Sequence, residues 1–497
     1  MRRPNILFIL TDQQMAGTLG CYGSAICRTP HADALAREGV RFTNAYAACP
    51  ICTPARASIQ TGLYPFRHGM QANIYTRGCM VHELPDVPTL LSRRLQGLGY
   101  ATGYTGKWHL GFGDHADGHP EYEFHVQGTP MLRPARHGGT LPSTVGYEGD
   151  DFPGHGGAGM QTPQYRQYLA DRGIELKTRT VVDHYPDTFE VLSGTESTVS
   201  HFLAENAMRH MRGFIEAGRP FFYMLNFWGP HSPYHASSEY LDLYRDTPIP
   251  PWPSFDEPQA GKPSVHNAHR TERLVHWQWP DFERIIRHYY AACTEIDAQV
   301  GRVVDMLKRA GQYDNTVIVF SSDHGDAIGV HRGLTDKALF MYEETNRVPL
   351  IVRDPAAPAG AGTAEDRFAG TCDLYSTVLD YAGLPRAQAE LDGRSLRPLV
   401  EGAEVPWRDC MVTECSGLDF LLHTQRALRY QQFKYVFNCG DLDELYDLAE
   451  DPHELRNLAA DPARAELLQA LRLRLDRWMG EMGDGLQERF RRLRGLV

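Results

Sequence analysis

Short, unbroken runs of apolar residues recur along the chain and have the length of buried strands. Most are continuous rather than alternating, which is typical of strands that are covered on both faces of a sheet. We predict strands over Asn5–Leu10, Val40–Ala47, Tyr100–Tyr104, Phe221–Phe227, Thr316–Phe320 and Val348–Val352.

Segments with helical periodicity lie between these runs. One begins at Pro88 and ends at Gly97 or Gly99, and a longer one runs from about Asp281 to a stop at Gly311. The alternation of strands and helices predicts an α/β fold with a large, mostly parallel or mixed sheet flanked by helices.

The composition changes after about residue 385. A strand-like run at Phe433–Phe437 and a charged helix from about Pro462 predict a smaller α+β subdomain with an antiparallel sheet. We therefore predict a catalytic domain over residues 1–385 and a C-terminal subdomain over residues 386–497.

The overall composition is that of a globular protein. In 497 residues, 42% are hydrophobic and 23% are charged, which excludes disordered, collagenous and coiled-coil chains. The net charge of −12 argues against nucleic acid as a partner. The apolar run Ile6–Leu10 is too short for a signal peptide, and no run approaches the length of a membrane span. We expect a cytoplasmic protein without a membrane partner, and the oligomeric state is not readable.

Polar residues that can carry chemistry follow four of the predicted strands at the point where each strand ends. They are Asp12, Lys107 with His109, His231, and Asp323 with His324. Ligand sites in open α/β sheets lie outside the carboxyl ends of the strands. Taken singly, each residue is explained equally well as a helix cap or a loop residue, but their coincidence predicts one shared site.

Part of this set can hold a divalent cation. Asp12, Gln13, Asp323 and His324 combine two carboxylates, an amide and an imidazole, which are hard or borderline ligands. We expect Asp326, by contrast, to brace its loop rather than to bind the metal.

The segment Cys52–Gly62 reads Cys-Thr-Pro-Ala-Arg-Ala-Ser-Ile-Gln-Thr-Gly. It resembles the signature of the type I, formylglycine-dependent sulfatases of the alkaline phosphatase superfamily, which is Cys-x-Pro-x-Arg followed by Thr-Gly. Other segments resemble the same family in the same order: Asn5–Asp12, Gly106–Gly111, Gly229–Pro233, Asp314–Gly329, Lys337 with Phe340–Glu343, Arg347–Ile351 and the tail from Glu444 to Leu458. The resemblance implies an alkaline-phosphatase-like fold and a sulfuric ester hydrolase.

The resemblance also implies that a maturation enzyme oxidises Cys52 to formylglycine. The hydrate of this aldehyde carries two hydroxyls on one carbon. One hydroxyl attacks sulfur, and the other later loses its proton and expels sulfate, an exit that a thiol lacks. The implied metal site consists of Asp12, Gln13, Asp323 and His324 together with Cys52.

The remaining family roles fall on charged residues. Arg56 would hold the formylglycine hydroxyl, and Lys107 and Lys337 would bind sulfate oxygens. His109 would take the proton from the second hydroxyl, and His231 would bind substrate and protonate the leaving oxygen, alone or with Lys337.

Three features of the site leave its finer chemistry open. Asn73 resembles a substrate-binding amide of some branches or is a turn residue. The chain has Asp12-Gln13 where many members carry Asp-Asp, and His324 where many carry Asn. Both variants occur in branches that include choline sulfatases and phosphonate monoester hydrolases. Calcium is the expected metal, with manganese and magnesium as alternatives because the site is less hard.

We expect hydrolysis of a sulfated carbohydrate first and of aryl or alkyl sulfates second. The alternative is a phosphonate monoester or phosphodiester hydrolase, and a remote one is a metal-binding protein in which Cys52 is never oxidised. Lys107 with His109 favours the sulfatase. Residues 138–159 and 248–280 are predicted surface loops, and four tryptophans are candidates either for stacking on sugars or for the core: Trp228, Trp252, Trp277 and Trp279.

Overall fold

The account of the fold rests on a computed structural model. It describes residues 3–74, 76, 79–111, 125–126, 129–130, 139–152, 159–160, 162–183, 186–257, 260–266, 274, 276–337, 339–384, 391–418 and 422–496. The strands are β1 Asn5–Asp12, β2 Val40–Phe42, β3 Ala45–Tyr46, β4 Ala101–Gly106, β5 His125–Val126, β6 Thr129–Pro130, β7 Thr178–Val182, β8 Thr188–Val191, β9 Phe221–Pro230, β10 Tyr234–Ser237, β11 Thr316–Ser322, β12 Leu350–Arg353, β13 Thr363–Glu365, β14 Ala369–Gly370, β15 Cys410–Cys415, β16 Gln425–Tyr430, β17 Phe433–Asn438 and β18 Glu444–Asp447. The longer helices are α1 Pro30–Glu38, α2 Cys52–Thr61, α3 Leu91–Gly97, α4 Pro163–Asp171, α5 Val199–Glu216, α6 Trp279–Arg309, α7 Asp373–Tyr381, α8 Ala465–Met482 and α9 Gln487–Arg494. Four-residue helices are Pro65–His68, Ser238–Leu241, Val330–Gly333, Glu343–Asn346 and Arg397–Val400.

The largest sheet has seven strands in the order β13-β2-β12-β11-β1-β9-β4. Its neighbours β11, β1, β9 and β4 all run parallel, whereas β12 is antiparallel to both β11 and β2. The predicted mostly parallel or mixed sheet is therefore confirmed. The four parallel strands bring their carboxyl ends together at one edge.

Helices cover both faces of this sheet, which explains the continuous apolar runs. In β1, Ile6 and Phe8 face a core that also contains residues of α2, α3 and α7. Leu7 and Ile9 face the opposite core, which contains residues of α5 and α6. All eight residues of β1 are buried, as expected for a strand between two helical layers.

Most predicted strands differ from the observed ones by one to three residues at an end, and two larger changes have a visible cause. The expected strand over Val40–Ala47 is two strands, because the chain leaves the large sheet after Phe42 and β3 then pairs with β14. Helix α3 begins at Leu91 rather than at Pro88, after a turn in which the Leu90 N–H donates to Val87 O.

The C-terminal part contains the predicted antiparallel sheet, in the order β15-β16-β17-β18. One face packs against α8, and the other meets Cys49 and Ile51, just ahead of the candidate nucleophile Cys52. The predicted domain boundary after residue 385 lies outside the described residues and stays a prediction. Within the described ranges, the structure has no helix that is both long enough and apolar enough to cross a bilayer.

Candidate active site

The four neighbouring parallel strands deliver their predicted polar residues to one place. Asp12 ends β1, Lys107 follows β4, His231 follows β9 and Asp323 follows β11; all four are buried. The Lys107 ammonium contacts the Asp12 carboxylate directly. The expectation that residues distant in sequence meet at the carboxyl edge of the sheet is confirmed.

Cys52 is the first residue of α2 and is fully buried. Its Sγ lies 3.3 Å from His324 Nε2, and Lys107 Nζ donates to the same sulfur at 3.4 Å. The start of α2 is tied down from both sides, since the Thr53 N–H donates to Asn73 Oδ1 at 3.3 Å and its hydroxyl donates to His109 O at 2.8 Å. These hydrogen bonds fix the start of α2, where the candidate nucleophile Cys52 lies.

Four candidate ligands converge on one point. Ligand atoms of Asp12, Cys52, Asp323 and His324 all lie within 4.8 Å of one another. His324 Nδ1 lies 2.8 Å from Gly325 O, so the proton belongs on Nδ1 and the lone pair of Nε2 faces the cluster. Two carboxylates and an imidazole suit a divalent cation. The donor set therefore fits the metal that the resemblance implies.

Arg56 holds the outer oxygens of both carboxylates. Its guanidinium donates to Asp12 Oδ2 at 3.2 Å, to Asp323 Oδ2 at 3.0 Å and to the Lys107 carbonyl at 3.0 Å. These contacts leave the Oδ1 atoms of the two aspartates for the cluster. The observed role of Arg56 is to orient the carboxylates, and its expected bond to the formylglycine hydroxyl stays a prediction.

Gln13 is oriented differently from a simple ligand. Its backbone is left-handed, with φ of 63°, and its N–H donates to Asp323 Oδ1 at 3.0 Å. Its side-chain Oε1 accepts from Lys337 Nζ at 2.5 Å, while Nε2 donates to Asp326 Oδ2 at 2.8 Å. Its role as a metal ligand stays a prediction. Asp326 braces its loop, as expected, because it also accepts the N–H of Asp336.

Neighbouring charges around the cluster shift the pKa values of its ionisable groups. Burial raises the pKa of Asp12, but Lys107, His231 and other cations outweigh it and hold that pKa well below its usual range. Burial likewise raises the pKa of Cys52, yet Lys107 and Lys337 bring it below the ordinary thiol value. The pKa of Lys337 is raised, because neighbouring anions outweigh its burial. The site thus favours a charged carboxylate and a protonated Lys337.

Lys337 and His231 form a hydrogen-bonded pair beside Gln13. Lys337 Nζ is 2.7 Å from His231 Nε2, and His231 Nδ1 contacts the Ser232 carbonyl. His109 follows β4, is fully buried and has a left-handed backbone with φ of 57°. The structure brings these residues together with Cys52 and Lys107 at one edge of the sheet, while their individual roles stay predictions.

The candidate tryptophans pack against protein. Trp228 is buried 5.9 Å from the ring of Phe152. Trp252 and Trp279 donate their indole N–H groups to backbone carbonyls at 2.8 and 2.7 Å. Trp277 lies 5.2 Å from the Phe282 ring. These contacts favour packing within the protein, rather than stacking on sugars, as the role of the four tryptophans.

Sequence reasoning missed two tyrosines behind the site. The Tyr289 hydroxyl donates to the Gln13 carbonyl at 2.8 Å, and the Tyr234 hydroxyl donates to Asp326 Oδ2 at 2.7 Å. Tyr234 begins the short buried strand β10 and Tyr289 lies on the buried face of α6, so no local pattern distinguishes them from core aromatics.

The chain matches the family model described as Sulfatase over residues 4–384, and the model described as N-sulphoglucosamine sulphohydrolase, C-terminal, over residues 329–481. It is similar to the uncharacterized sulfatase YidJ of Escherichia coli, with 28% identity covering 97% of this chain and 88% of the relative. It is 27% identical to an N-acetylglucosamine-6-O-sulfatase of Bacteroides thetaiotaomicron, covering 95% of this chain and 86% of that protein.

Among solved structures, the phosphonate monoester hydrolase of Agrobacterium radiobacter is similar, with a TM-score of 0.77 and 27% identity over 97% of this chain and 96% of that one. The fold, the cluster around Cys52 and the family match over residues 4–384 agree. The chain belongs to the sulfatase family, a family of sulfuric ester hydrolases in the alkaline phosphatase superfamily.

Proposed function

We propose that the protein hydrolyses sulfate esters to an alcohol and sulfate, with Cys52 acting as nucleophile after its conversion to formylglycine by a maturation enzyme. The observation that carries the proposal is the position of Cys52. It begins α2 inside a cluster of two carboxylates and an imidazole, with the Lys107 ammonium 3.4 Å from its sulfur. A nucleophile surrounded by cations suits an anionic ester.

Two lysines bind the sulfate group in this proposal. Both are buried, Lys107 Nζ donates to Cys52 Sγ at 3.4 Å, and the charge of Lys337 also lowers the pKa of that thiol. In a buried site such charges are weakly screened by water. They therefore offset the negative charge that develops on sulfate oxygens during transfer.

The leaving alcohol needs a proton, and the pair of His231 and Lys337 supplies it. The His231 ring carries its proton on Nδ1, toward the Ser232 carbonyl, so Nε2 accepts from the Lys337 ammonium at 2.7 Å. A proton shared between these two nitrogens is available to an ester oxygen. His109 takes the proton from the second hydroxyl of the formylglycine hydrate, and Asn73 contacts the substrate near α2.

Asp12, Gln13, Asp323 and His324 would hold a divalent cation together with the Cys52 position, and we propose calcium, with manganese or magnesium as alternatives. When bound, the cation supplies positive charge to the sulfate and to the nucleophile. Arg56 orients the carboxylates of Asp12 and Asp323 toward this metal site through its two ion pairs.

We propose a sulfated saccharide as the substrate class, with aryl sulfates as the second choice, and a cytoplasmic location. Support for a sulfated saccharide comes from the match to the C-terminal model of N-sulphoglucosamine sulphohydrolase and from the N-acetylglucosamine-6-O-sulfatase relative.

One feature of the site favours a second activity. The pair Asp12-Gln13 with His324 resembles the branch that includes phosphonate monoester hydrolases, and one solved member of that class superposes with a TM-score of 0.77. Phosphonate monoester hydrolysis is therefore the alternative function.

The test combines maturation with a substrate panel. Protein co-produced with a formylglycine-generating enzyme is digested, and the mass of the Cys52 peptide is measured for the loss expected from thiol-to-aldehyde conversion. The same protein is assayed with defined sulfated monosaccharides, nitrophenyl sulfate and a phosphonate monoester, with Cys52→Ala as control. We expect sulfate release that depends on the converted residue. A higher kcat/KM for the phosphonate would reverse the order of the two functions, and full activity of Cys52→Ala would refute both.

A further inference from the structure

A buried carboxylate stands behind the candidate site without joining the metal cluster. Asp326 Oδ2 accepts two hydrogen bonds, from Gln13 Nε2 at 2.8 Å and from the Tyr234 hydroxyl at 2.7 Å. Its Oδ1 accepts the backbone N–H of Asp336 at 3.2 Å. Asp326 is fully buried. All three partners are donors, so this position requires a group that only accepts.

The contact with Asp326 decides which end of the Gln13 amide faces the active site. A carboxamide has an accepting oxygen at one end and a donating nitrogen at the other. Because Nε2 is bound by Asp326, Oε1 is directed to the Lys337 ammonium at 2.5 Å. The same ammonium lies 2.7 Å from His231 Nε2. One chain of contacts thus runs from a carboxylate outside the cluster to the proposed proton donor.

We infer that Asp326 is a positioning residue for sulfate-ester hydrolysis. It holds the Gln13 amide oxygen toward Lys337, and this oxygen, together with the Asp336 carboxylate 3.0 Å from the ammonium, keeps Lys337 at His231. With the amide reversed, an NH₂ group would face the ammonium, and the ammonium would move away from His231. The inference rests on the proposed function of this site.

The backbone around these residues is held independently of the Asp326 side chain. The Gln13 N–H is bound by Asp323 Oδ1 at 3.0 Å, and the Gln13 carbonyl accepts from Tyr289 at 2.8 Å. A Cβ at Gly325, next to Asp326, would lie 1.8 Å from the Glu344 carbonyl, so that loop is closely packed at its backbone. Changing the Asp326 side chain is therefore expected to act on the Gln13 amide rather than on the path of the chain.

The test compares Asp326→Asn with Tyr234→Phe. Asparagine can satisfy the fixed Asp336 N–H only by turning its own NH₂ toward Gln13, which forces the Gln13 amide to reverse. Tyr234→Phe removes another hydrogen bond to the same carboxylate but leaves the orientation of Gln13 intact, which makes it the matched control.

The activity readout is the dependence on the leaving group. General-acid terms are typically about 10²–10⁴-fold. At a saturating metal concentration, which offsets any loss of the Gln13 oxygen as a ligand, we expect kcat/KM of Asp326→Asn to fall by about 10²-fold on an alkyl sulfate and by less than about 10-fold on nitrophenyl sulfate, whose leaving group needs little protonation. Tyr234→Phe should lower kcat/KM on the alkyl sulfate and on nitrophenyl sulfate by the same factor, which should be less than about 10-fold. Equal losses of Asp326→Asn on both substrates would overturn the inference, because a purely structural role predicts that result.

A crystal structure of each variant separates this inference from the proposed function, since it needs no turnover. In Asp326→Asn the Lys337–His231 distance should exceed about 3.5 Å, the limit of a hydrogen bond. In Tyr234→Phe it should remain a hydrogen bond. An ammonium that stays at His231 in Asp326→Asn would overturn the inference even if the parent hydrolyses no sulfate ester.

A double variant covers the case in which Asp326→Asn does not fold. In Gln13→Glu with Asp326→Asn, the asparagine NH₂ donates to one glutamate oxygen and can donate to the Tyr234 hydroxyl, and the other glutamate oxygen faces Lys337, so the ammonium again meets an acceptor. We expect this protein to fold with Lys337 at His231, and the readout is that distance alone, because Gln13 also belongs to the proposed metal site. A folded double variant in which Lys337 has left His231 would contradict the inference.

Discussion

Replacing Arg56 with methionine should destabilise the metal-free protein, and the loss should shrink when a divalent cation is added. Arg56 is 3% exposed and binds two fully buried carboxylates, those of Asp12 and Asp323. Methionine fills a similar volume without charge. It therefore leaves two buried anions that only Lys107 and more distant cations offset.

The magnitude follows from this environment. Removing one partner of a buried ion pair typically costs about 3–5 kcal/mol, because the remaining charge is left without compensation. The entropy of unfolding is about 2.1 cal/mol/K per residue, or roughly 1 kcal/mol/K for a chain of this length. If the chain unfolds as one unit, Tm should drop by about 3–5 °C.

The chain offers a closely matched control in Arg426. It is also 3% exposed, pairs with two buried carboxylates, Glu414 and Asp484, and donates to a backbone carbonyl, but it lies in β16 of the C-terminal sheet. Arg426→Met should lower Tm by a similar amount. Its Tm loss should be unaffected by metal, and the folded fraction should keep its kcat/KM.

The assay is thermal unfolding of both variants and the parent, after chelation and after addition of calcium or manganese, with metal affinity measured by titration calorimetry. Added cation should recover part of the Tm of Arg56→Met, because it supplies positive charge to the same two aspartates. Metal affinity of Arg56→Met should therefore rise, because a Tm loss that is smaller with metal than without it requires the cation to bind the variant more tightly than the parent. A Tm loss that is the same with and without metal, together with unchanged metal affinity, would refute the assigned role of Arg56.

Four further variants test the proposed chemistry. Asp323→Asn should weaken metal binding in calorimetry and lower kcat/KM by orders of magnitude, and parental activity in thoroughly chelated enzyme would contradict a metal-dependent site. His231→Ala should lose more activity on sugar sulfates than on nitrophenyl sulfate, whereas a uniform loss for His231→Ala with a leaving-group-dependent loss for Lys337→Ala would make the lysine the proton donor. His109→Ala should transfer one sulfate to the converted Cys52 and then stall, so mass spectrometry should detect a sulfated peptide; steady turnover without that adduct would exclude His109 from product release.

The strands, the position of the site and the family could be predicted from the sequence, because each depends on residues that are close together in the chain. The unbroken apolar runs predicted the strands of a doubly covered sheet, since burial on both faces removes the need for alternation. The residues after those runs predicted the site, since parallel strands present their carboxyl ends together. The segment Cys52–Gly62 pointed to a formylglycine nucleophile through a resemblance to one family, and the matched family model confirms the family.

Only the tertiary structure decided which partners those residues meet. Local periodicity carries no information on strand order, so the adjacency of β11, β1, β9 and β4 had to come from the fold. The sequence did not show that Arg56 binds both Asp12 and Asp323, while its expected bond to the formylglycine hydroxyl stays a prediction. The Gln13 amide is set by Asp326, which lies 313 residues further along the chain. A side-chain hydrogen bond depends on rotamers and on distances between remote segments, and packing sets both only after the chain has folded.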